Sequence, residues 1–229
     1  MKLSRIFLSL GCLLLACAPC AAQEADKQGG DSGKLVYADF EAANENRPVS
    51  SGGGLVQLFS YEETNKARYR GAADTSAPEA VHLKAGDPNR AIAFEFEIPA
   101  PNQYAGVGVQ IYASPEKEGK PGVVDVSGYK YVTFQLFARG AENARIELAS
   151  RGHGLNISSG DPQATFKVKP GFNTYQIPLK SLLQPQWAPV KVSTKDVLKK
   201  LTQVNIAVYC DRCTPMKGQL VIDNVVFQN

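Results

Sequence analysis

The chain has 229 residues, a length that suits one large β domain together with a targeting segment. It carries 25 basic and 22 acidic residues, so the overall charge says little about a partner. Because no Lys/Arg cluster is interleaved with aromatic residues, the composition argues against a nucleic-acid partner.

The N-terminal residues have the pattern of an export leader. Lys2 and Arg5 form a positive start, and residues 6–16 are an apolar run that is shorter than a membrane span of about 20 residues. Removing these two cations from the 25 basic residues leaves 23 against 22 acidic residues. The mature protein is therefore expected to be exported and nearly neutral.

Two cleavage positions are compatible with this leader. Residues 14–17, Leu-Leu-Ala-Cys, resemble a bacterial lipobox, in which Cys17 would become the lipidated first residue. The small residues Cys20, Ala21 and Ala22 instead suit ordinary cleavage of a signal peptide over residues 1–22. Residues 23–33 are polar and glycine-containing, as a flexible linker is. We expect a protein of the bacterial periplasm or an outer-membrane lipoprotein, in contact with a membrane only through a lipid on Cys17.

An apolar period of two predicts half-buried β-strands along the remaining chain. The predicted strands lie at residues 35–41, 55–61, 80–83, 92–98, 107–112, 132–137, 145–149, 164–168, 173–177, 201–209 and 219–227. Residues 140–143, Gly-Ala-Glu-Asn, suit a hairpin between two of them. Many short strands with Gly and Pro turns favour an all-β sandwich.

One short helix is predicted near residue 193. Ser193 stands three residues before Asp196, as in a capping box. Val197, Leu198 and Leu201 then form one apolar face, which predicts one or two helical turns.

Two cysteines remain whichever cleavage site is used. Cys210 and Cys213 form a lone Cys-x-x-Cys pair, which is compatible with a zinc half-site, a redox pair or a small disulfide. Zinc requires about four ligands, and His82 and His153 are isolated in the sequence. A redox pair usually begins a helix, whereas this pair follows a strand. In an oxidising compartment, a disulfide is the leading interpretation.

The polar faces of the strands provide candidate binding residues. If these strands are neighbours in one sheet, their outward side chains combine groups able to bind hydroxyls with aromatic rings able to stack on a sugar. The alternative is an ordinary solvated sheet face. Trp187, in a proline-bounded loop, suits either stacking on a sugar or plugging one end of the sandwich. The candidate residues are Gln110, Tyr112, Gln135, Glu147, Asn205, Tyr209 and Trp187.

Four stretches carry a resemblance to a known class of domain. Residues 35–41, 125–134, 175–182 and 219–227 are similar, in this order, to strands of galactose-binding-like jelly-roll domains. This class includes carbohydrate-binding modules and the complex I intermediate-associated protein domain. The resemblance covers residues 34–229 and implies a β-sandwich jelly roll over that range.

The resemblance also implies a structural calcium ion between the first and last strands. Asp39, Glu41 and Asp223 match the positions of its ligands in many jelly-roll carbohydrate modules. Ca²⁺ requires about six to eight oxygen ligands, several of them from carboxylates. The alternative is that these side chains cap strand ends or accept hydrogen bonds from the backbone.

The expected function is non-catalytic binding of a glycan, such as a cell-envelope polysaccharide, on one sheet face. The main alternative is an extracytoplasmic protein-interaction or assembly factor with a protein partner, as the complex I intermediate-associated domain implies. A glycoside hydrolase is a third possibility. The backbones of Glu95 and Glu97 are expected about 6.5 Å apart on one strand face, which is near the separation of the two catalytic carboxylates in glycosidases. Adjacent glutamates on one face of a β-sandwich are, however, usually solvated. The sequence lacks nucleophile-elbow, nucleotide-binding and zinc-protease motifs.

Overall fold

The structure is a computed structural model that describes residues 33–41, 43–44, 47–60, 80–82, 89–112, 122–155, 157–210 and 215–229. These residues belong to one compact unit, Ser32–Asn229. None of their helices is long and apolar enough to cross a membrane. The predicted leader with Cys17, nearly all of the linker and also Cys213 lie outside the described residues.

Thirteen strands and one short α-helix make up the described secondary structure. The first seven strands are β1 (Lys34–Ala38), β2 (Ala43–Asn44), β3 (Arg47–Pro48), β4 (Val56–Ser60), β5 (Ala80–His82), β6 (Arg90–Ile98) and β7 (Gln103–Gln110). The others are β8 (Tyr131–Arg139), β9 (Asn143–Ala149), β10 (Gln163–Lys167), β11 (Asn173–Pro178), β12 (Gln203–Cys210) and β13 (Met216–Gln228). Helix α1 spans Thr194–Lys199, and a 3₁₀ turn spans Leu179–Ser181.

The strands form two antiparallel sheets and one small ribbon. The six-stranded sheet has the order β11-β8-β13-β6-β5, and β1 pairs with the C-terminal part of β13. The five-stranded sheet has the order β10-β9-β12-β7-β4, and β2 pairs with β3. From β6 to β13 most connections therefore cross from one sheet to the other, as they do in a sandwich.

The core lies between the two sheets. Alternate residues of each strand point inward, as the period of two predicted, so that Ile92, Phe94 and Phe96 of β6 are buried. Phe134 of the six-stranded sheet contacts Phe166 of the five-stranded sheet, with ring centroids 5.4 Å apart. The hydroxyl of Tyr37 also crosses between the sheets and donates to the carbonyl oxygen of Val109 at 2.9 Å. These contacts join the sheets into one sandwich.

The predicted helix is confirmed, but without its predicted cap. Helix α1 buries Val197 and Leu198 against the sandwich. Ser193 is the N-cap residue by backbone geometry, yet its side chain makes no capping hydrogen bond. Its carbonyl oxygen instead accepts from the backbone N–H of Asp196 at 3.0 Å. Helix formation therefore depends on the buried apolar face rather than on the capping box.

Two local expectations are wrong. Residues 140–143 do not form a hairpin, because β8 lies in the six-stranded sheet and β9 in the five-stranded sheet. The opening strand, predicted over residues 35–41, ends at Ala38, so Asp39 and Glu41 lie beyond it. Phe40 between them has φ of 58°, in the left-handed region, and its side chain is fully buried. The turn at Phe40 redirects the chain as soon as β1 ends.

The predicted disulfide stays a prediction. Cys210 ends β12 and is 1% exposed, which is the environment expected of a structural cysteine. Its predicted partner, Cys213, lies outside the described residues.

Candidate functional site

The outer face of the five-stranded sheet has a floor of small residues. Gly106 of β7 pairs with Ala207 of β12, and Ala207 pairs on its other side with Arg145 of β9. Phe59 of the edge strand β4 also pairs with Gly106. Since side chains on one strand face recur every second residue, Phe59, Gly106, Ala207 and Arg145 form one row across the sheet. Larger side chains at both ends of this row make the middle lower than its rims.

A cleft of about 420 Å³ lies over this face. Strands of the sheet supply aromatic and charged groups, and the turn before β7, the segment after β9 and the loop before α1 supply the rest. The cleft is lined by Phe59, Asn102, Tyr104, Arg145, Glu147, Arg151, Ser158, Ser159, Gly160, Asp161, Trp187, Asn205 and Tyr209.

Arg145 lies close to two tyrosine rings in the cleft. Its guanidinium carbon is 5.6 Å from the ring centroid of Tyr104 and 5.0 Å from that of Tyr209. Its Nη2 pairs with Oε1 of Glu147 at 2.7 Å. Its Nε is buried and has no hydrogen-bond partner among the described residues. Each ring therefore serves as a cation–π platform for Arg145, which leaves less of its face for stacking on a ligand.

Glu147 is a buried carboxyl group at the centre of a polar chain. Gln203 Nε2 donates to Asn205 Oδ1 at 2.6 Å, and Asn205 Nδ2 donates to Glu147 Oε2 at 3.4 Å. Burial raises the pKa of the Glu147 carboxyl, while Arg145 and the hydrogen bond from Asn205 act in the opposite direction. These hydrogen bonds link β12 to β9. They also orient the Glu147 carboxyl group that pairs with Arg145.

A second ion pair lies beside the first. Arg151 Nη1 and Nη2 donate to the two oxygens of Asp161 at 2.6 and 2.5 Å, in a bidentate arrangement. The hydrogen bonds to Asp161 raise the pKa of Arg151. Asp161 is 4% exposed, so this largely buried pair joins the start of the segment between β9 and β10 to its end. The four charged side chains that line the cleft thus form two neutral pairs.

Trp187 forms one rim of the cleft. Its side chain is 65% exposed, although the neighbouring Ala188 is buried. The prediction allowed the ring either to bind a ligand or to plug the sandwich. A plug would be buried, so the plug interpretation is wrong.

The structure brings together four of the seven candidate binding residues. Glu147, Asn205, Tyr209 and Trp187 all line the cleft. The required condition, that their strands be neighbours, holds for β9, β12 and β7.

Three candidate residues lie elsewhere. Gln110 ends β7 on the same sheet but is not among the residues that line the cleft. Tyr112 follows that strand, bridges Gly52 and Gly53, and packs against the core. Gln135 lies on β8 in the other sheet, opposite Asp223, so its grouping on one face with the rest does not hold.

Several lining residues were missed by the sequence analysis. Arg145 lies on the same alternating face as Glu147 within the predicted strand 145–149, so the period of two was a sufficient signal for it. Tyr104 was missed because β7 begins at Gln103, before the predicted strand 107–112. Arg151 and Asp161 lie outside the strands, and only their ion pair in the folded chain connects them to the cleft.

The carboxylates proposed for calcium accept hydrogen bonds from N–H groups. Asp223 is fully buried, and its Oδ2 accepts from Asn89 Nδ2 at 3.0 Å and from Asn224 Nδ2 at 2.9 Å. Glu41 Oε1 accepts from the backbone N–H of Arg90 at 2.8 Å. Burial raises the pKa of Asp223, and the nearby charges of Glu41 and Asp39 raise it further.

These contacts favour the alternative of polar strand-end interactions. Among the described residues no three His, Cys, Asp or Glu side chains form a group that could hold a metal ion. Asp223 lies at the irregularity in β13, where the register to β8 shifts and Asn224 has φ of 52°. Its oxygens therefore satisfy the amides at that bend, and calcium stays a prediction.

The solved structures that are similar to this chain include two of family 11 carbohydrate-binding modules. A family 11 carbohydrate-binding module of the cellulosomal cellulase Lic26A-Cel5E of Clostridium thermocellum matches with a TM-score of 0.50 and 14% identity, over 86% of this chain and 95% of that chain. The family 11 module from Clostridium thermocellum in complex with a β-1,3-1,4-mixed-linked tetrasaccharide matches with a TM-score of 0.51 and 15% identity, over 86% and 96%. The domain has a β-sandwich jelly-roll fold. Comparisons with protein-family models and with curated protein sequences found no match.

Proposed function

We propose that this protein binds a glycan, without catalysis, in the cleft on the outer face of the five-stranded sheet. The observation that carries the proposal is the exposed ring of Trp187 at the rim of a cleft that is otherwise lined largely by polar and ion-paired side chains. An exposed tryptophan offers a large apolar face, and the apolar face of a sugar ring is a ligand of matching shape. The likeness to carbohydrate-binding modules supports the same proposal.

The polar groups of the cleft suit the hydroxyls of a neutral sugar. Ser158 and Ser159 line the cleft and are exposed, and their hydroxyl groups can both donate and accept hydrogen bonds. The ion pairs Arg145–Glu147 and Arg151–Asp161 leave no unbalanced charge among the lining residues. A charged ligand would have to separate one of these pairs, which costs free energy in a partly buried site. We therefore expect a neutral glycan.

Calorimetric titration with the β-1,3-1,4-mixed-linked tetrasaccharide, followed by a panel of neutral and acidic glycans, tests the proposal. Trp187→Ala should weaken binding by about 1–3 kcal/mol, because the stacking surface is lost. The matched control is Leu183→Ala, which removes another exposed apolar side chain (68% exposed) that does not line the cleft. Equal affinities of the parent and Trp187→Ala for a bound glycan would place the site elsewhere.

Two alternatives are outcomes of the same experiments. If no glycan binds and a defined protein partner is isolated, the protein is an interaction or assembly factor. If reducing sugar ends are released during incubation with a polysaccharide, the protein is a glycoside hydrolase. Glu147 and Asp161 are the carboxylates of the cleft, and each is paired with an arginine. Such pairing suits a binding site better than a catalytic carboxylate that must exchange protons.

The proposed location is the bacterial periplasm or the outer membrane, where a cell-envelope polysaccharide would be within reach. The leader pattern of Lys2, Arg5 and the apolar residues 6–16 supports export. Intact-mass analysis of the protein from its native envelope distinguishes a lipid-bearing Cys17 from a chain that starts at Gln23. A cytoplasmic protein that retains Met1 would contradict both.

A further inference from the structure

The loop that carries Trp187 is fastened at its base by one glutamine. Gln184 Nε2 donates to the carbonyl oxygens of Gly160 at 2.9 Å and of Val190 at 3.1 Å. Its Oε1 accepts from the backbone N–H of Val192 at 2.8 Å. One side chain thus closes the loop on itself and joins it to the segment before β10.

A lysine fastens the same loop at its tip. Lys191 Nζ donates to the carbonyl oxygens of Pro185 and Gln186 at 2.8 and 2.9 Å. The backbone N–H of Ala188 donates to the carbonyl oxygen of Pro185 at 3.1 Å. These bonds satisfy carbonyl groups that a mobile loop would leave to water, and they hold the residues on either side of Trp187.

Gly160 provides the surface on which the loop rests. It has φ of 75°, in the left-handed region that favours glycine. A Cβ added at this position would lie 2.5 Å from Cβ of Ala188 and 3.3 Å from Cζ3 of Trp187. Only a residue without a Cβ allows the loop and its tryptophan to approach this closely.

We propose that Gln184 and Gly160 are positioning residues that hold Trp187 as a fixed wall of the cleft before any ligand binds. The ligand-binding part of this inference rests on the proposed function, whereas the rigidity of the ring does not. A side chain that is already ordered loses little conformational freedom when a ligand stacks on it. Ordering one free, rotamer-rich side chain on binding costs a factor of roughly 2 to 10 in affinity.

The spectroscopic test uses the fact that Trp187 is the only tryptophan of the chain. Time-resolved fluorescence anisotropy of the ligand-free protein therefore reports on this ring alone. Gln184→Glu removes both donor bonds and places a carboxylate against two carbonyl oxygens, so we expect a larger fast component of the decay. Gln186→Glu makes the same chemical change at an exposed position of the loop and is the matched control, with the decay of the parent.

The binding test is a double-mutant cycle with Trp187→Ala. Gln184→Glu should weaken binding of the tetrasaccharide, or of the tightest glycan of the panel, by roughly 2- to 10-fold. In the Trp187→Ala background the same substitution should have no further effect, because no ring remains to be positioned. Gly160→Ala should weaken binding to a similar extent, and only when Trp187 is present. It replaces Gln184→Glu in the cycle if Gln184→Glu does not fold.

Two results would overturn the inference. One is fast, large-amplitude rotation of the Trp187 ring in the parent, which would make the loop mobile from the start. The other is an equal loss of affinity from Gln184→Glu with and without Trp187, which would assign Gln184 a direct or purely structural role. If no glycan binds the parent, the proposed function fails, and the anisotropy of the three ligand-free proteins still decides whether Trp187 is held.

Discussion

Arg145 makes two kinds of interaction through its guanidinium group. Its Cζ lies 5.6 Å from the ring centroid of Tyr104 and 5.0 Å from that of Tyr209, and its Nη2 is paired with Glu147. Since its side chain is only 12% exposed and is paired with Glu147, we expect the guanidinium group to be held in one orientation.

The proton on Glu147 is expected to stabilise the fold. Burial raises the pKa of Glu147 in the folded state, so the folded protein binds this proton more tightly than the unfolded chain does. The free energy of unfolding of the parent should therefore rise relative to that of Glu147→Gln as the pH falls from 7 through the folded-state pKa of Glu147 towards the ordinary glutamate pKa of about 4.3. Urea unfolding of both proteins across this range measures the difference.

Glu142→Gln, at an exposed glutamate, is the control for the loss of one carboxyl group. A pH-independent difference between the parent and Glu147→Gln would show that the proton on Glu147 does not contribute.

Tyr112 and Tyr209 are expected to respond differently to truncation. Tyr112→Ala should lower the free energy of unfolding by about 2 kcal/mol with little direct effect on glycan affinity, because the ring packs against the core. Tyr209→Ala removes one of the two rings that contact Arg145. It should weaken glycan binding, because the guanidinium group of Arg145 is then less firmly positioned in the cleft. Denaturant unfolding and calorimetric titration of both variants separate the effects; weaker binding by folded Tyr112→Ala would return Tyr112 to the site.

The sequence contained enough information to find the strand faces that carry the site, but not the ion pairs within it. Alternation alone selects Glu147, Asn205 and Tyr209, because strand neighbours two apart share a face. It cannot show that the charge of Glu147 is cancelled by Arg145, which depends on rotamers. Gln135 was misplaced because alternation is identical in both sheets, and nothing local in the sequence assigns a strand to one of them.

At the level of elements, Gly106 and Gly108 leave the outer face of β7 without side chains at two positions, so that neighbouring groups can lie directly over the strand. A Cβ on Gly108 would collide with the side-chain ends of Gln203 and Asn205, which lie over this strand. A Cβ on Gly106 would instead meet backbone atoms of β12, with the carbonyl oxygen of Ile206 at 2.6 Å. The two positions therefore differ in what a methyl group would displace.

Gly108→Ala should weaken glycan binding while changing the free energy of unfolding by no more than about 1 kcal/mol, because flexible side chains can move but lose their chain to Glu147. Gly106→Ala should lower the free energy of unfolding more, since backbone must shift. Gly128→Ala, with nothing within 4 Å of its added Cβ, is the neutral control. Titration and urea unfolding of all three variants test this order; unchanged affinity in Gly108→Ala would exclude the polar chain from binding.

Element types were predictable where local pattern and packing agree. Strand β6 alternates from Ile92 to Ile98, and α1 has an apolar face at helical spacing. The path between the sheets was not predictable, because a segment such as residues 140–143 is short enough for a hairpin yet also spans the sandwich edge. That choice depends on which distant strands complete each sheet, and it is decided only when the whole core forms.

At the scale of the molecule, the pairing of β1 with β13 was anticipated, and calcium is the remaining question at that junction. If Asp39, Glu41 and Asp223 hold calcium, excess Ca²⁺ should raise the melting temperature relative to chelator, because only the folded state offers the site. Asp223→Asn should remove that shift. Equal melting curves, with no metal found by elemental analysis, would leave the hydrogen bonds of Asp223 as the full account of the junction.

The position of β13 within its sheet has a consequence for biosynthesis. Strand β13 pairs with β8 along one side and with β6 and β1 along the other. Strands made long before it on the ribosome therefore have no partner on that side until residues 216–228 have left the exit tunnel. Nascent chains that lack this segment expose strand edges that bind other chains or a chaperone. We therefore expect the six-stranded sheet to fold only after β13 has been synthesised, and all its earlier strands to wait for the last one.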